Sequence, residues 1–126
     1  MNIVGLGLDA TEVDRIAQSL ERYGERFLQR VFTDQEIAYC MRRRNPAPHL
    51  AGRFAAKEAG MKAIGTGWRR GVRWQDFEVA NLPTGRPTLR LHGVAAQVAL
   101  RMGVQNIALS MTHTAETAMA QVILEN

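Results

Sequence analysis

Four charged residues, Arg53, Lys57, Glu58 and Lys62, lie in a segment that is otherwise made of small and apolar residues. On a helical wheel at about 100° per residue, Lys57 falls inside the stripe of large apolar side chains and Glu58 lies at its edge. A helix that is small or apolar nearly all round is typically buried, and an unpaired buried charge is costly. These charges therefore need partners of opposite sign.

Two interpretations account for Glu58. An ion pair with Lys62, four residues later, would stabilise a surface helix by about 0.3–0.5 kcal/mol, but such a pair suits a helix with a broad polar face. The other interpretation is a binding site, in which a divalent metal ion neutralises Glu58 and bridges to phosphate groups that attract the three cations. The lack of a polar face favours the site, and a second carboxylate ligand must then come from elsewhere.

Asp9 is the best candidate for that second carboxylate. It directly follows a short apolar run, Ile3-Val4-Gly5-Leu6-Gly7-Leu8, which predicts a buried strand. The two glycines of the run allow another backbone to approach closely, so that Asp9 faces whatever fills the gap. The alternative is that Asp9 caps a helix or interacts with the positive end of its dipole.

A second basic feature lies on the helix predicted after Thr11, which Gly24 breaks or bends. The polar residues of this stripe fall within about 60° of one another on the wheel, opposite the apolar side chains. They are Arg15, Ser19, Arg22 and Arg26. Such a stripe is either a solvated face or a docking surface for an acidic helix or a phosphate backbone.

The overall charge also indicates an anionic partner. The 126 residues include 16 Lys and Arg against 12 Asp and Glu, and the pI is about 10.0. Nucleic acid, an acidic protein and a phosphorylated small molecule all fit this charge. A non-enzymatic module that binds nucleic acid is the alternative function, but it leaves the acids at positions 9 and 58 unexplained. With 6% aromatic residues, the chain also has few side chains for base stacking.

The predicted elements indicate an α+β fold with a long buried central helix against a small, mostly antiparallel sheet. The central helix runs from His49 to Ile64, and Thr33-Asp34-Gln35-Glu36 predicts a capping box. No repeat or linker divides the chain, so we expect a single domain over residues 1–126. The other predicted elements are a strand over 3–8, a helix with Thr11 as its N-cap, a helix ending at Met41, a hairpin of 77–79 with 87–91, a helix over 93–102, and strands over 107–112 and 119–124.

The sequence also predicts a cytoplasmic protein without a membrane partner. No apolar run reaches the roughly 20 residues that a membrane span needs. The first residues lack the basic start and long apolar stretch of a signal peptide. The single cysteine, Cys40, permits no internal disulfide and fits a reducing compartment.

These residues belong to motifs that resemble a known family. The K-E-x-x-x-K core alone is a weak signal, but its combination with the aspartate block, the G-T-G and the G-R-P turn is specific. The chain resembles the holo-acyl-carrier-protein synthases, the small bacterial 4′-phosphopantetheinyl transferases of fatty acid biosynthesis. The matching segments are GLGLDATEVDRI (5–16), RVFTDQEIAYC (30–40), RFAAKEAGMKAIGTG (53–67), FEVANLPTGRPTLRLHG (77–93) and IALSMTHT (107–114).

The resemblance implies a reaction and a set of site residues. The reaction transfers the 4′-phosphopantetheine arm of coenzyme A to a serine of apo-acyl carrier protein and releases 3′,5′-ADP. Asp9 and Glu58 would bind Mg²⁺, and with Lys62 they would form the catalytic group. The residues implied for coenzyme A are Arg53, Lys57, Lys62, Gly65, Thr66, Thr112 and His113.

The resemblance also implies partners. An acidic carrier protein would dock on Arg15, Arg22 and Arg26, and nucleic acid would not be a partner. Members of the family form homotrimers with active sites between neighbouring subunits. This chain departs from the family pattern at Leu8, where threonine is common, at Ala10-Thr11, where a branched apolar pair is usual, and at Thr112, where serine is frequent.

Overall fold

Five helices and five strands form in an order close to that predicted from the sequence. A computed structural model describes residues 1–126, and it confirms the α+β class. The elements in chain order are β1 (Ile3–Glu12), α1 (Val13–Tyr23), α2 (Glu25–Val31), α3 (Asp34–Met41), α4 (Pro46–Ile64), a 3₁₀ turn (Trp74–Asp76), β2 (Phe77–Asn81), β3 (Pro87–Leu91), α5 (Gly93–Arg101), β4 (Asn106–His113) and β5 (Thr117–Glu125).

The strands form two sheets rather than the single sheet predicted. β5 lies between β1 and β4 in a three-stranded sheet, while β2 and β3 form a separate two-stranded hairpin. Every pairing is antiparallel, as expected for strands connected mainly by short turns. In the larger sheet, Asp9 pairs with Ala120 of β5, which pairs in turn with Met111 of β4. Thr11 pairs with Ala118, which pairs in turn with His113.

Helix α4 is central because most of its residues are buried. It begins with Pro46 in its first turn, where a missing N–H costs nothing, and Gly65 ends it in the left-handed conformation at φ 77°. The predicted N-terminus at His49 was three residues late. No helix in the chain is both long enough and apolar enough to cross a membrane.

Strand β1 packs directly on the backbone of α4. A Cβ atom added at Gly7 would overlap the carbonyl oxygen of Ala59, and one added at Gly5 would overlap that of Ala63. Two glycines on one strand face meet two alanines one helical turn apart. The predicted close approach of another backbone to these glycines is therefore confirmed, and α4 is the element that makes it.

The other face of β1 is open, contrary to the prediction of a buried strand. Leu6 and Leu8 are 56% and 53% exposed, and they alternate with the glycines that face α4. The prediction of Thr11 as a helix N-cap is also wrong, because Glu12 occupies that position. The Thr11 hydroxyl instead donates a hydrogen bond to Asp9 Oδ2 at 2.9 Å.

The predicted capping box of α3 is confirmed. Thr33 Oγ1 accepts a hydrogen bond from the Glu36 N–H at 3.2 Å, and Glu36 Oε1 accepts one from the Thr33 N–H at 2.9 Å. This exchange satisfies two of the N–H groups that a helix start leaves free. It also fixes the Glu36 carboxylate in the interior, where its other partners lie.

A buried ion pair joins α3, α4 and β2. The Lys57 ammonium donates to Glu36 Oε1 at 2.6 Å and to the Phe77 and Trp74 carbonyls at 2.6 and 3.2 Å. Glu36 Oε2 accepts from the Val79 N–H at 2.9 Å. Burial lowers the pKa of Lys57, and the charge and hydrogen bond of Glu36 oppose that effect. The three N–H donors of the ammonium are therefore used within the core.

We expect Lys57→Met to lower the free energy of unfolding by about 3–5 kcal/mol, because it leaves the Glu36 carboxylate buried without its counter-ion. Urea unfolding followed by circular dichroism measures this loss. Lys62→Met is the matched control on the same helix, and its half-exposed side chain predicts a loss within about 1 kcal/mol. Equal losses in the two variants would contradict a structural role for the buried pair.

Candidate active site

Asp9, Glu58 and Lys62 come together where β1 passes α4. Lys62 Nζ lies 3.3 Å from Asp9 Oδ1 and donates to the Leu8 carbonyl at 2.9 Å. The Asp9 side chain is 13% exposed, whereas the lysine is half exposed. The sequence predicted that Asp9 lies close to Glu58 and Lys62, about 50 residues later in the chain, and the structure brings them together.

The charge of Asp9 acts on Glu58. The pKa of Glu58 is raised, first by burial of its carboxyl group and then by the negative charge of Asp9, while Lys62 and Arg15 oppose the shift. Two neighbouring carboxylates repel each other when both are ionised, so each disfavours ionisation of the other. A cation between them would relieve this repulsion.

The donor set of this pair fits a magnesium ion. Mg²⁺ prefers hard oxygen ligands, retains several waters, and is commonly held by one or two carboxylates together with substrate phosphates. No group of three or more metal-ligating side chains occurs in the chain. A closed protein cage is thus absent, and Asp9 with Glu58 matches the open two-carboxylate arrangement.

A second polar cluster surrounds Arg53 on another face of α4. The Arg53 and Arg43 guanidinium carbons lie over the Tyr39 ring, 4.1 and 4.2 Å from its centroid. The His49 ring makes edge contacts with Tyr39 at 6.5 Å and with His113 at 5.4 Å. We call these five residues the basic cluster.

The electrostatics of the basic cluster favour an anion. The pKa of His49 is lowered, first by burial and then by the charges of His113, Arg43 and Arg53. Arg53 is 6% exposed, and its buried Nε has no hydrogen-bond partner. A buried donor without an acceptor is costly, and a phosphate oxygen would satisfy it.

Sequence reasoning missed three members of this cluster. Tyr39 and Arg43 were not singled out in the sequence, and His49 entered only as the first residue of the predicted central helix. The available signal was the i, i+4 spacing of His49 and Arg53 on the central helix, which places both side chains on one face, whereas Tyr39 lies on α3 and Arg43 in the turn after it. Their convergence on Arg53 depends on how α3 packs against α4.

The structure does not support Lys57 as a coenzyme-binding residue. Its ammonium is fully buried and makes its three hydrogen bonds inside the core. The helical wheel correctly placed Lys57 among apolar side chains, but its partner is Glu36 of α3 rather than a ligand. This prediction is therefore corrected to a structural role.

Gly65, Thr66 and Thr112 make no side-chain hydrogen bond to the carboxylate pair or to the basic cluster. Gly65 ends α4, and the Thr66 hydroxyl is buried and donates to the Gly67 carbonyl at 3.0 Å. Thr112 and His113 are neighbours on β4, so their side chains point to opposite faces of the sheet. Thr112 lines a cavity on the open face with Leu8, whereas His113 joins the basic cluster.

The three candidate docking arginines are exposed and form no salt bridges. Gly24, with φ 53°, ends α1, so Arg15 and Arg22 lie on α1 and Arg26 lies on α2. Arg26 lines an open cavity of about 650 Å³ together with Ser19. Arg15 acts electrostatically on Glu58, so this surface begins beside the carboxylate pair.

We expect Glu58→Gln to raise the melting temperature of the metal-free protein at pH 7. A carboxyl group whose folded pKa is raised favours the folded state at low pH and loses that contribution as pH rises through the folded pKa. The gain should therefore shrink as the pH falls through the raised pKa of Glu58 toward 4.5, the ordinary value for glutamate, and it should be absent at lower pH. Thermal unfolding in EDTA across this range measures it.

The matched control for this titration is Glu21→Gln, which neutralises an exposed glutamate on α1. Its effect on the melting temperature should be small at every pH, because the side chain is solvated. A gain for Glu58→Gln that did not change with pH, or a loss at pH 7, would contradict the electrostatic description of the carboxylate pair.

Comparison with known proteins identifies the family of the chain. A sequence model of the 4′-phosphopantetheinyl transferase superfamily matches residues 5–121. The holo-[acyl-carrier-protein] synthase of Solibacter usitatus is 68% identical over 124 residues, which cover 98% of this chain and 99% of the relative.

Solved structures give the same result. The crystal structure of holo-[acyl-carrier-protein] synthase from Neisseria meningitidis has a TM-score of 0.90 at 30% identity, covering 99% of this chain and 100% of the other. The enzyme from Bacillus anthracis, in complex with CoA (3′,5′-ADP), has a TM-score of 0.79 at 35% identity, covering 97% and 96%. The resemblance drawn from the sequence is confirmed, and the chain belongs to the 4′-phosphopantetheinyl transferase superfamily.

Proposed function

We propose that this phosphopantetheinyl transferase moves the 4′-phosphopantetheine arm of coenzyme A to a serine of apo-acyl carrier protein, giving the holo form and 3′,5′-ADP. The observation that carries the proposal is the pairing of Asp9 with Glu58 beside Lys62, at the edge of an arginine surface. The names of the relatives support the same reaction. We further propose a role in fatty acid biosynthesis in the cytoplasm, within a single domain over residues 1–126.

Asp9 and Glu58 are the residues that would hold Mg²⁺. When bound there, the metal would supply positive charge that offsets the pyrophosphate of coenzyme A and the charge on the departing oxygen. The fit rests on the two neighbouring carboxylates and on the raised pKa of Glu58. Burial is the main cause of that shift and the charge of Asp9 the second, and a bound cation would oppose both effects.

Glu58 and Lys62 are proposed to handle the two proton transfers of the reaction, one at the serine and one at the leaving group. The serine oxygen forms a bond to phosphorus as the bond from phosphorus to the 3′,5′-ADP oxygen breaks. The Glu58 carboxylate accepts the serine proton, and burial favours this role because it makes the carboxylate a stronger base. Lys62 donates a hydrogen bond or a proton to the leaving oxygen, and Asp9 holds its ammonium in position.

Arg53 and His113 are proposed to bind a phosphate group of coenzyme A. The unpartnered Arg53 Nε supports this role, as does the contact between His113 and His49. Gly65 and Thr66 follow Lys62 at the end of α4, where their backbone groups are the candidate contacts. Thr112 lies on the open face of the sheet, where a neighbouring chain would pack. It remains a candidate coenzyme residue only if coenzyme A binds between the two chains there.

The carrier protein is proposed to dock on Arg15, Arg22 and Arg26. Three exposed arginines without acidic partners attract an acidic protein and orient its approach. Because Arg15 lies within electrostatic range of Glu58, a carrier bound on this surface presents its serine near the carboxylate pair.

We propose that the chain works as a homotrimer with active sites between neighbouring subunits. The open sheet face exposes Leu6, Leu8 and Met119, and contiguous exposed apolar side chains mark interaction surfaces. Arg53 and Glu58 lie about 140° apart around α4, so one chain does not gather the phosphate-binding and carboxylate groups in one place. The number of subunits rests on the family resemblance.

The decisive test is the intact mass of an apo-acyl carrier protein incubated with this protein, coenzyme A and Mg²⁺. We expect a mass gain equal to one phosphopantetheine arm, and its loss in EDTA, since the two carboxylates alone leave the pyrophosphate charge uncompensated. Glu58→Gln should remove the gain while the protein stays folded. No gain with several carrier proteins would overturn the proposed reaction, and tight binding to nucleic acid without magnesium would favour a binding module instead.

We expect Arg15→Glu and Arg22→Glu each to raise the KM for the carrier protein about tenfold at low salt, and we expect Arg22→Glu to leave the KM for coenzyme A unchanged. The effect should fade as salt screens the charges. Arg101→Glu on α5 is the matched control, with the same charge change on an exposed residue elsewhere. Steady-state kinetics at two salt concentrations test this, and equal effects of the three variants would mean that the stripe is only a solvated face.

A further inference from the structure

Tyr39 lies against two arginines that would otherwise repel each other. The Arg43 guanidinium carbon is 4.2 Å from the centroid of the Tyr39 ring, and that of Arg53 is 4.1 Å from it. Arg43 follows α3 in an exposed turn, whereas Arg53 is buried in the middle of α4. Both cations thus contact the Tyr39 ring.

The arrangement is costly unless an anion is present. Neither arginine forms a salt bridge, and the Arg53 Nε is buried without an acceptor. The negative face of an aromatic ring attracts a guanidinium group by about 0.5–2 kcal/mol, which offsets part of the repulsion. Neither guanidinium group donates a side-chain hydrogen bond within the chain, and arginine N–H groups bind phosphate oxygens strongly.

We propose that Tyr39 is a positioning residue that holds Arg43 and Arg53 together for a terminal phosphate monoester of the nucleotide substrate. This inference rests on the proposed function, in which that group is the 3′-phosphate of coenzyme A. A monoester carries about two negative charges, which matches two guanidinium groups. The pyrophosphate instead belongs with the carboxylate pair on another face of α4.

The contacts of His49 extend the same arrangement to His113. His49 touches the edge of the Tyr39 ring and the His113 ring, so Tyr39 also connects the two arginines to the candidate phosphate residue on β4. The Tyr39 hydroxyl makes no side-chain hydrogen bond within the chain. The ring rather than the hydroxyl therefore does the positioning.

The experiment compares Tyr39→Leu with Tyr39→Phe, using coenzyme A and its 3′-dephospho form as substrates. We expect Tyr39→Leu to raise the KM for coenzyme A about tenfold, since it removes two ring contacts. Its kcat and its KM for dephospho-coenzyme A should change less than about twofold. Tyr39→Phe, which keeps the ring, should behave like the unchanged protein toward both substrates.

The outcomes separate this inference from a merely structural role. A structural defect in Tyr39→Leu would lower the melting temperature and affect both substrates alike, and that result would overturn the proposal. An equal rise in the KM for coenzyme A in Tyr39→Phe and Tyr39→Leu would also overturn the proposal, because the hydroxyl rather than the ring would then be required.

A binding measurement separates this inference from the proposed function. Calorimetric titration of 3′,5′-ADP into the same full-length variants requires no transfer reaction. Weaker binding to Tyr39→Leu alone supports the positioning role even if no carrier protein is modified. Equal affinity of all three proteins would overturn the role of Tyr39 while leaving the transferase reaction intact.

Discussion

The close approach of β1 to α4 is the constraint on which the carboxylate pair depends. Two residues along a strand advance about 6.7 Å, and four residues along a helix advance about 6.0 Å, so glycines two apart can meet alanines four apart. Gly7 at Ala59 and Gly5 at Ala63 use this match, with the strand and the helix running in opposite directions. The next residue on that strand face is Asp9, which therefore lies beside the helix near Glu58. A side chain at either glycine would push the strand away and separate the two acids.

Helix α4 serves the core and the site through adjacent residues. Lys57 and Glu58 are about 100° apart on the helix, so one side chain points into the interior and the other toward Asp9. The buried pair of Lys57 with Glu36 fixes α3 and β2 against the helix. Since α3 also carries Tyr39, the same pair determines where that ring meets Arg53. Packing in the core and the geometry of the basic cluster are thus coupled through α3.

Much of this arrangement was predictable from the sequence, because it depends on local pattern. The capping box of α3, the central helix, the hairpin and the closing strands follow from short-range spacing, and Asp9 and Glu58 stood out as acids beside small residues. Partners distant in the chain were not predictable. A helical wheel shows that Lys57 faces inward but not that Glu36, 21 residues earlier, meets it there. Strand alternation places Thr112 and His113 on opposite faces of the sheet, although the family resemblance implied both as coenzyme residues.

The structure holds like charges together at two places, and this is the clearest physical argument for a charged ligand. The negative charge of Asp9 helps to raise the pKa of Glu58, and Arg43 and Arg53 share one ring while the Arg53 Nε lacks an acceptor. Each arrangement destabilises the free protein, and each would be relieved by a group of opposite charge. A magnesium-bound nucleotide carries both, a cation at its pyrophosphate and an anion at a separate phosphate. Relief of the repulsion within each group would then contribute to the binding of one ligand. In the proposed trimer, the assembly of neighbouring chains would bring the two groups together.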